Sequence, residues 1–393
     1  MRQTGAVPAL TIIAALSLLA WLWLTFGQGG FWHTDVRLPH RSELTGRPDV
    51  AIVVPARDEA EVLPLSLPSL LAQQYGGRAR VILVDDGSSD GTNELAGKLA
   101  EQAGPDALPL TVTSPGEPPA GWTGKLWALR HGVELAGDVT YLLLTDADIA
   151  HGEFSLDNLV CAAETNDLAL VSQMARLRTE TRWEQLIVPA FVYFFAQLYP
   201  FRWSNRPGSR TAAAAGGCTL VRRDALERAG GVAAIRGAVI DDVNLARLVK
   251  RDGGRTWLGL ADRVDSVRPY PELSQLWRMV SRSAYAQLRH SPLLLAGTVL
   301  GLTLVYLVPP IALLAGLASA DQRLLGFGLG AWTLMAMTYR PMLGYYRRPA
   351  HEALLLPFTA ALYLLMTVDS AVQHWRGRGA AWKGRTYGAP STD

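Results

Sequence analysis

The sequence predicts an α/β domain with a mainly parallel sheet, flanked by apolar segments able to cross a bilayer. Three observations carry this. Short apolar runs end at acid-rich turns and alternate with helical patterns, the order that builds parallel sheets with right-handed crossovers. Uncharged stretches of membrane-spanning length stand before and after this part. The composition agrees: of 393 residues, 49% are hydrophobic and only 18% charged, with a mean hydropathy of +0.13, which is apolar for a water-soluble chain.

Other classes are excluded early. A net charge of +2 gives no reason to expect a nucleic-acid partner. Two cysteines, Cys161 and Cys218, are too few for a disulfide framework or a cysteine-rich zinc site. The seven histidines show no metal-ligand spacing. The first apolar stretch, residues 8–26, is just long enough to span. It ends in Trp21, Trp23 and Phe26 rather than small residues, which favours an uncleaved anchor over a signal peptide.

Val50-Ala-Ile-Val-Val-Pro-Ala reads as a central strand, and Leu63, Leu67, Leu70 and Leu71 as a helix face. A second strand runs into Asp85-Asp86-Gly87-Ser88-Ser89-Asp90-Gly91-Thr92, where Ser89 or Asp90 can cap the next helix. Asp85 and Asp86 can accept from a base or ribose, or simply build an Asx-type turn. Gly121-Trp-Thr-Gly-Lys125 opens another helix, and a lysine at a helix N-terminus is a plausible diphosphate contact. Neither the phosphate-loop nor the dinucleotide glycine pattern is present.

The stretch Tyr141-Leu-Leu-Leu-Thr-Asp146-Ala-Asp148 is the chemical centre. In an extended segment residues i and i+2 share a face, so Asp146 and Asp148 are expected to aim together at a divalent ion carrying a diphosphate. Solvated aspartates in a turn are the alternative. Residues 168–172 give one more strand. Residues 182–201, interrupted by Pro189, suit an interfacial helix or a buried core helix. The small-residue run 212–218, with Gly216 and Gly217, allows close backbone approach to a ligand or merely tight packing. Asp241 and Asp242 open a helix, either as dipole complements or with Asp242 as a general base. Arg278 and Arg282, spaced i and i+4, can clamp a diphosphate or form a basic outer face.

From residue 293 the chain is membrane-like: 293–318 with Pro309-Pro310 inside, 324–338, and 353–368, or about three C-terminal transmembrane helices. Orientation stays open. Arg340, Arg347 and Arg348 mark one loop as inside, and the tail with Arg376, Arg378, Lys383 and Arg385 asks for the same side. The expected organisation is an anchor over 1–30, a catalytic domain over 48–290, a membrane region over 291–375 and a basic tail over 376–393.

Together, Val53-Val-Pro-Ala-Arg-Asp-Glu, Val84-Asp-Asp-Gly-Ser-Ser-Asp-Gly-Thr, Asp146-Ala-Asp148, Arg222-Arg-Asp-Ala-Leu-Glu-Arg-Ala-Gly-Gly and Asp241-Asp242 resemble the family 2 glycosyltransferases of GT-A fold, over roughly residues 48–290. Within them, Pro119-Ala-Gly-Trp-Thr-Gly-Lys, Trp183-Glu-Gln-Leu-Ile-Val-Pro-Ala, Ala212-Ala-Ala-Ala-Gly-Gly-Cys and Trp277-Arg-Met-Val-Ser-Arg are similar to the bacterial hopene-associated glycosyltransferases. The resemblance implies an inverting transferase of a nucleotide sugar, first of all a UDP-sugar, onto a lipid acceptor. It implies Mn2+ or Mg2+ on Asp146 and Asp148 and base catalysis by Asp242 beside Asp241. Pro55, Ala56, Glu59, Asp85, Asp86, Lys125, Asp146, Gly217 and Arg278 would then bind the nucleotide sugar. The setting would be the bacterial cytoplasmic membrane, spanned several times, with the catalytic domain cytosolic. Gln275-Leu-Trp-Arg278 is followed by Met279 where processive and ceramide-type relatives carry tryptophan, which weakens a polymerase reading. A polyprenyl-phosphate sugar transferase and a non-catalytic membrane scaffold are the competing expectations.

Overall fold

The computed structural model describes residues 6–377, together with the pairs 381–382 and 385–386. Most of the expected basic tail therefore lies outside the described residues. The chain divides into two compact units. One joins Asp35–Arg178 to Trp203–Pro269; the other gathers the chain before Asp35, Thr179–Arg202, and the chain from Tyr270 to the last long helix. Residues 179–202 and 270–290, expected inside the catalytic domain, thus go with the apolar helices.

Among the described residues of the first unit, eight strands form one sheet: β1 Val50–Ala56, β2 Ala79–Asp85, β3 Leu110–Thr113, β4 Tyr141–Leu144, β5 Ile149–His151, β6 Leu170–Arg176, β7 Thr219–Arg222 and β8 Thr256–Ser266. Their order is β3-β2-β1-β4-β7-β6-β8-β5. β1 to β4 pair parallel around the centre, as do β6 and β8, while β7 runs antiparallel to both β4 and β6. The strand alternation sorts the core into two layers. Val50, Ile52, Val54, Leu83 and Leu143 face one cluster, which helices Leu63–Leu71 and Ser155–Thr165 cover. Ala51, Val53, Ile82, Val84 and Leu142 face the other, covered by helices Gly124–Leu135 and Asp241–Arg251. Burial on both faces explains the near-continuous apolar reading of β1, β2 and β4. Gly132 sets how closely its helix can approach: a Cβ there would lie 2.3 Å from Val53 Cγ1 and 3.0 Å from Val84 Cγ2.

Among the described residues of the second unit, three helical stretches are long and apolar enough to cross a membrane: Pro8–Phe26, Pro292–Ser319 and Ala350–Trp375. The expectation of about three C-terminal spans is corrected to two. The 324–338 run lies in a longer helix, Gln322–Tyr345, whose ends carry Arg323 and Arg340 and which is absent from that set. Pro309-Pro310 does not break its span. A π-helical turn over Thr303–Leu307 leads into the helix Val308–Ser319; a widened turn accommodates prolines that lack an N–H and crowd the preceding carbonyls.

The helix Arg182–Leu198 belongs to this unit. Its start is a capping box in which Thr181 and Glu184 satisfy each other's backbone N–H. Its Ile187 carbonyl accepts from Tyr363 Oη at 3.1 Å, and Tyr193 Oη bonds Thr338 Oγ1 at 2.8 Å, so it is packed among the apolar helices.

Substituting Gly132→Leu should lower stability by about 1–3 kcal/mol, the usual cost of overpacking. A depressed thermal unfolding midpoint of the detergent-solubilised chain would register it.

Candidate active site

The sheet's polarity gathers the site. β1, β2 and β4 are parallel, so residues 57–60, 86–92 and 145–148 leave the same edge. β8 ends there too, since β6 and β8 run in the direction of β4. β7 runs the other way and begins at that edge, with Thr219 opposite Leu144. The loop before it, 212–218, is thereby delivered beside Asp146. Ligands of open α/β sheets bind at such a carboxyl edge.

At its middle lies a charged knot. Lys125 Nζ is 2.8 Å from Asp146 Oδ1 and 3.0 Å from Asp241 Oδ2. Lys125 stands in the first turn of helix Gly124–Leu135, whose N-cap Thr123 accepts from Leu126 N–H. Asp241 and Asp242 stand in the first turn of helix Asp241–Arg251, where the dipole favours acids. Asp242 accepts from Gly216 N–H at 2.9 Å and from Val243 N–H at 2.7 Å. Gly216 faces the knot, and a Cβ there would make only ordinary van der Waals contact with it. A Cβ would meet Lys125 Nζ, Asp242 Oδ2 and Asp146 Oδ2 at 3.5, 3.6 and 3.7 Å.

Burial, and then the charge of Asp241, push the Asp242 carboxyl up to about 7, against the pull of Lys125 and the two backbone N–H groups. Burial tends to lower the Lys125 ammonium, but Asp146 and Asp241 outweigh it and the net shift is upward. Three carboxylates and one ammonium leave a negative surplus that a protonated Asp242 or a further cation relieves. The cavity lined by Pro55, Lys125, Asp146, Gly216, Asp241 and Asp242 holds only about 20 Å³, room for about one water.

Asp146 and Asp148 do not act as an extended pair. The chain turns between them, with Ile149 N–H donating to Asp146 C=O at 3.2 Å, and they face different cations. Asp148 accepts from Arg268 Nε at 3.1 Å and Ser266 Oγ at 3.2 Å, and the same arginine pairs with buried Glu59. Thr145 holds the turn by donating to Gly217 C=O at 2.7 Å and pairing with His151 Nε2 at 2.9 Å. Burial lowers His151 to about 4, so that imidazole is neutral at physiological pH.

A further polar seam joins the loops after β1 and β2. Arg57 bonds the Asp86 carbonyl and lies 3.5 Å from its carboxylate. Asp58 takes Ser89 N–H at 2.8 Å, Glu59 N–H donates to Thr92 Oγ1 at 2.9 Å, and Ala60 N–H to Asp90 Oδ2 at 2.9 Å. Asp90 sits one residue before the cap, Gly91, and holds Thr92 N–H at 3.1 Å. Asp85 accepts from Ser88 N–H at 3.1 Å, the Asx-type turn anticipated as one option. Ala56 serves through its carbonyl, which receives Asp86 N–H at 2.8 Å.

Of the residues singled out, Pro55, Lys125, Asp146, Asp241 and Asp242 line one hollow. Gly217 packs against Ile149 instead, and the place facing the knot is taken by Gly216. Arg278 and Arg282 are exposed on helix Leu273–Gln287 of the other unit. Arg268 escapes sequence reasoning: it is a lone arginine just past a strand, and only the fold brings it to Asp148 and Glu59.

Two outcomes follow from the electrostatics. Folded Asp242 holds its proton more tightly than the unfolded carboxyl, so the folded state binds more protons between about pH 4 and about pH 7. Stability of the metal-free protein should fall as pH rises through that window, and Asp242→Asn should flatten the fall in a series of thermal melts. Arg268→Leu should cost about 2 kcal/mol by stranding Glu59 and Asp148, with partial recovery in Arg268→Lys, read as unfolding midpoints at neutral pH.

Comparison with known proteins agrees with this architecture. Residues 51–230 match glycosyl transferase family 2. A Bacillus subtilis protein described as probable glycosyltransferase YdaM is 27% identical over 231 residues, covering 55% of this chain and 52% of its own length. Polyprenol monophosphomannose synthase of Mycolicibacterium smegmatis is 31% identical over 135 residues, covering 34% of this chain and 48% of its own. The chain thus spans about half the length of these curated relatives. A mannosyltransferase of Pyrobaculum calidifontis, solved with GDP-Man and Mn2+, superposes with a TM-score of 0.57 at 20% identity, over 94% of this chain and 99% of that one. Its likeness establishes the fold. Residues 51–230 are thus similar to glycosyl transferase family 2, and the sheet that carries them has the Rossmann-like GT-A fold.

Proposed function

We propose that the chain is a membrane-bound inverting glycosyltransferase that moves a sugar from a nucleoside-diphosphate sugar to a lipid hydroxyl. The observation that carries this is the meeting of Lys125, Asp146, Asp241 and Asp242 at the carboxyl edge of the sheet in a family 2 domain. Apolar helices of spanning length support a lipid acceptor. The resemblance to hopene-associated enzymes supports a UDP-sugar donor, an acceptor from hopanoid biosynthesis, and a bacterial cytoplasmic membrane with a cytosolic catalytic domain.

In this reading Asp242 takes the proton of the acceptor hydroxyl. The hydroxyl oxygen attacks the anomeric carbon from the face opposite the diphosphate, and the bond from that carbon to the diphosphate oxygen breaks. A carboxyl poised near neutrality is suited to the task. Lys125 leaves its carboxylate partners to hold the diphosphate and puts positive charge against the leaving group. Asp85 and Asp86, on the seam with Arg57, take the base and ribose, and Pro55, Ala56 and Glu59 shape the same edge.

Asp146 and Asp148 would hold a divalent ion, Mn2+ or Mg2+. Their chemistry fits: such ions bind through one or two carboxylates plus substrate phosphates, and the ammonium of Lys125 against Asp146 shows that the place attracts a cation. Among the described residues no group of three or more ligating side chains is assembled, so substrate oxygens must complete the shell. When bound, the ion neutralises charge on the diphosphate.

The relative named polyprenol monophosphomannose synthase favours a second reading, in which the acceptor is a polyprenyl phosphate. A phosphate oxygen needs little help from a base. Asp242→Asn should lower transfer to a hydroxyl lipid by about a hundredfold or more, whereas near-normal turnover would remove Asp242 as base and favour the phosphate acceptor. Lys125→Ala should weaken donor binding, seen as a raised KM. Mass spectrometry of lipids from cells with and without the protein identifies the product. Failure to bind UDP or GDP with Mn2+ by calorimetry would return the chain to a scaffold role.

A further inference from the structure

We infer that a second cavity, within the unit of apolar helices, binds the phosphate-bearing head of an anionic membrane lipid. The cavity measures about 200 Å³, ten times the hollow at the charged knot. Its polar wall is Arg182, Gln185, Arg348 and Glu352; its apolar wall includes Tyr339 and Leu343. All belong to one unit.

The charge of this lining is unbalanced. Arg348 and Glu352 form a two-contact pair, with Nε to Oε2 at 3.1 Å. Arg182, at the first position of helix Arg182–Leu198, is exposed and forms no ion pair among the described residues. Two guanidinium groups against one carboxylate leave one positive charge. A phosphodiester carries one negative charge, and the planar guanidinium matches its oxygens in pairs. Gln185 donates through Nε2 to Glu180 C=O at 3.0 Å, and its amide oxygen is an acceptor.

The apolar side of the cavity selects a lipid over free phosphate. Tyr339 and Leu343 are buried, and Leu355 and Thr359 come from the opening turns of the candidate span Ala350–Trp375. In the same turns Leu354 is 55% and Phe358 53% exposed. Those side chains belong against acyl chains, and a head group seated on Arg182 could lay its chains along them. Basic pockets between spanning helices take anionic head groups for this reason. The inference concerns the membrane unit alone and holds whichever acceptor the catalytic domain uses.

The test uses the full chain, delipidated in detergent and placed in phosphatidylcholine nanodiscs containing graded phosphatidylglycerol, with retained lipid counted by native mass spectrometry. Wild type should retain phosphatidylglycerol in preference to phosphatidylcholine. Arg182→Gln should weaken retention about tenfold, the loss of one charge-assisted hydrogen bond, and Leu343→Trp, which fills the cavity, should do at least as much. Arg340→Gln, which removes an exposed charge from the same helix as Leu343 but outside the lining, should leave retention unchanged. Millimolar inorganic phosphate should not displace the lipid. Equal retention by wild type and Arg182→Gln, an equal loss in Arg340→Gln, no preference for phosphatidylglycerol, or displacement by inorganic phosphate would each overturn the site.

Discussion

The contact on which the rest of the sheet-bearing unit depends is the ammonium of Lys125 between Asp146 and Asp241. Three carboxylates from two segments converge there, and without a cation among them they would repel each other and disfavour the fold that brings them together. The two helix N-termini at Gly124 and Asp241 ease the same charge through their dipoles. The Gly216 N–H donates to Asp242.

The single reversed strand in the middle of the sheet is what makes this convergence possible. Had β7 run parallel to β4, the 212–218 loop would reach the opposite edge, and Asp242 would lose the Gly216 N–H. Because β7 is antiparallel on both sides, its approach loop and the exits of β1, β2, β4 and β8 share one edge. Arg268 then ties the end of β8 to Asp148 and Glu59, so the Asp146–Asp148 turn is braced from two directions by two different cations.

The membrane side follows another logic. Its candidate spans are largely apolar, and specific polar contacts join its helices, among them Tyr193 to Thr338, Tyr363 to the Ile187 carbonyl and Trp277 to Asp369. Pro309 and Pro310 are absorbed by one widened turn. Arg182, Arg348 and Glu352 of this unit meet around a cavity.

Local chemistry was enough for part of this. Apolar runs ending at acids marked β1, β2 and β4 because a strand buried on both faces has no polar alternation to hide it. Gly124 and Lys125 announced a helix start, and 19 uncharged residues announced a span. Long-range pairing was another matter. β3, β5 and β7 are only three or four residues long and take their place from neighbours far along the chain, as does the longer β8, and no local period reveals them. The partition of Asp146 and Asp148 between Lys125 and Arg268 depends on a turn that a two-residue spacing does not encode, and the choice of Gly216 over Gly217 on backbone direction within a loop. Composition and periodicity report what a segment buries; which charge meets which is settled only when strands from distant parts of the chain take their order in the sheet.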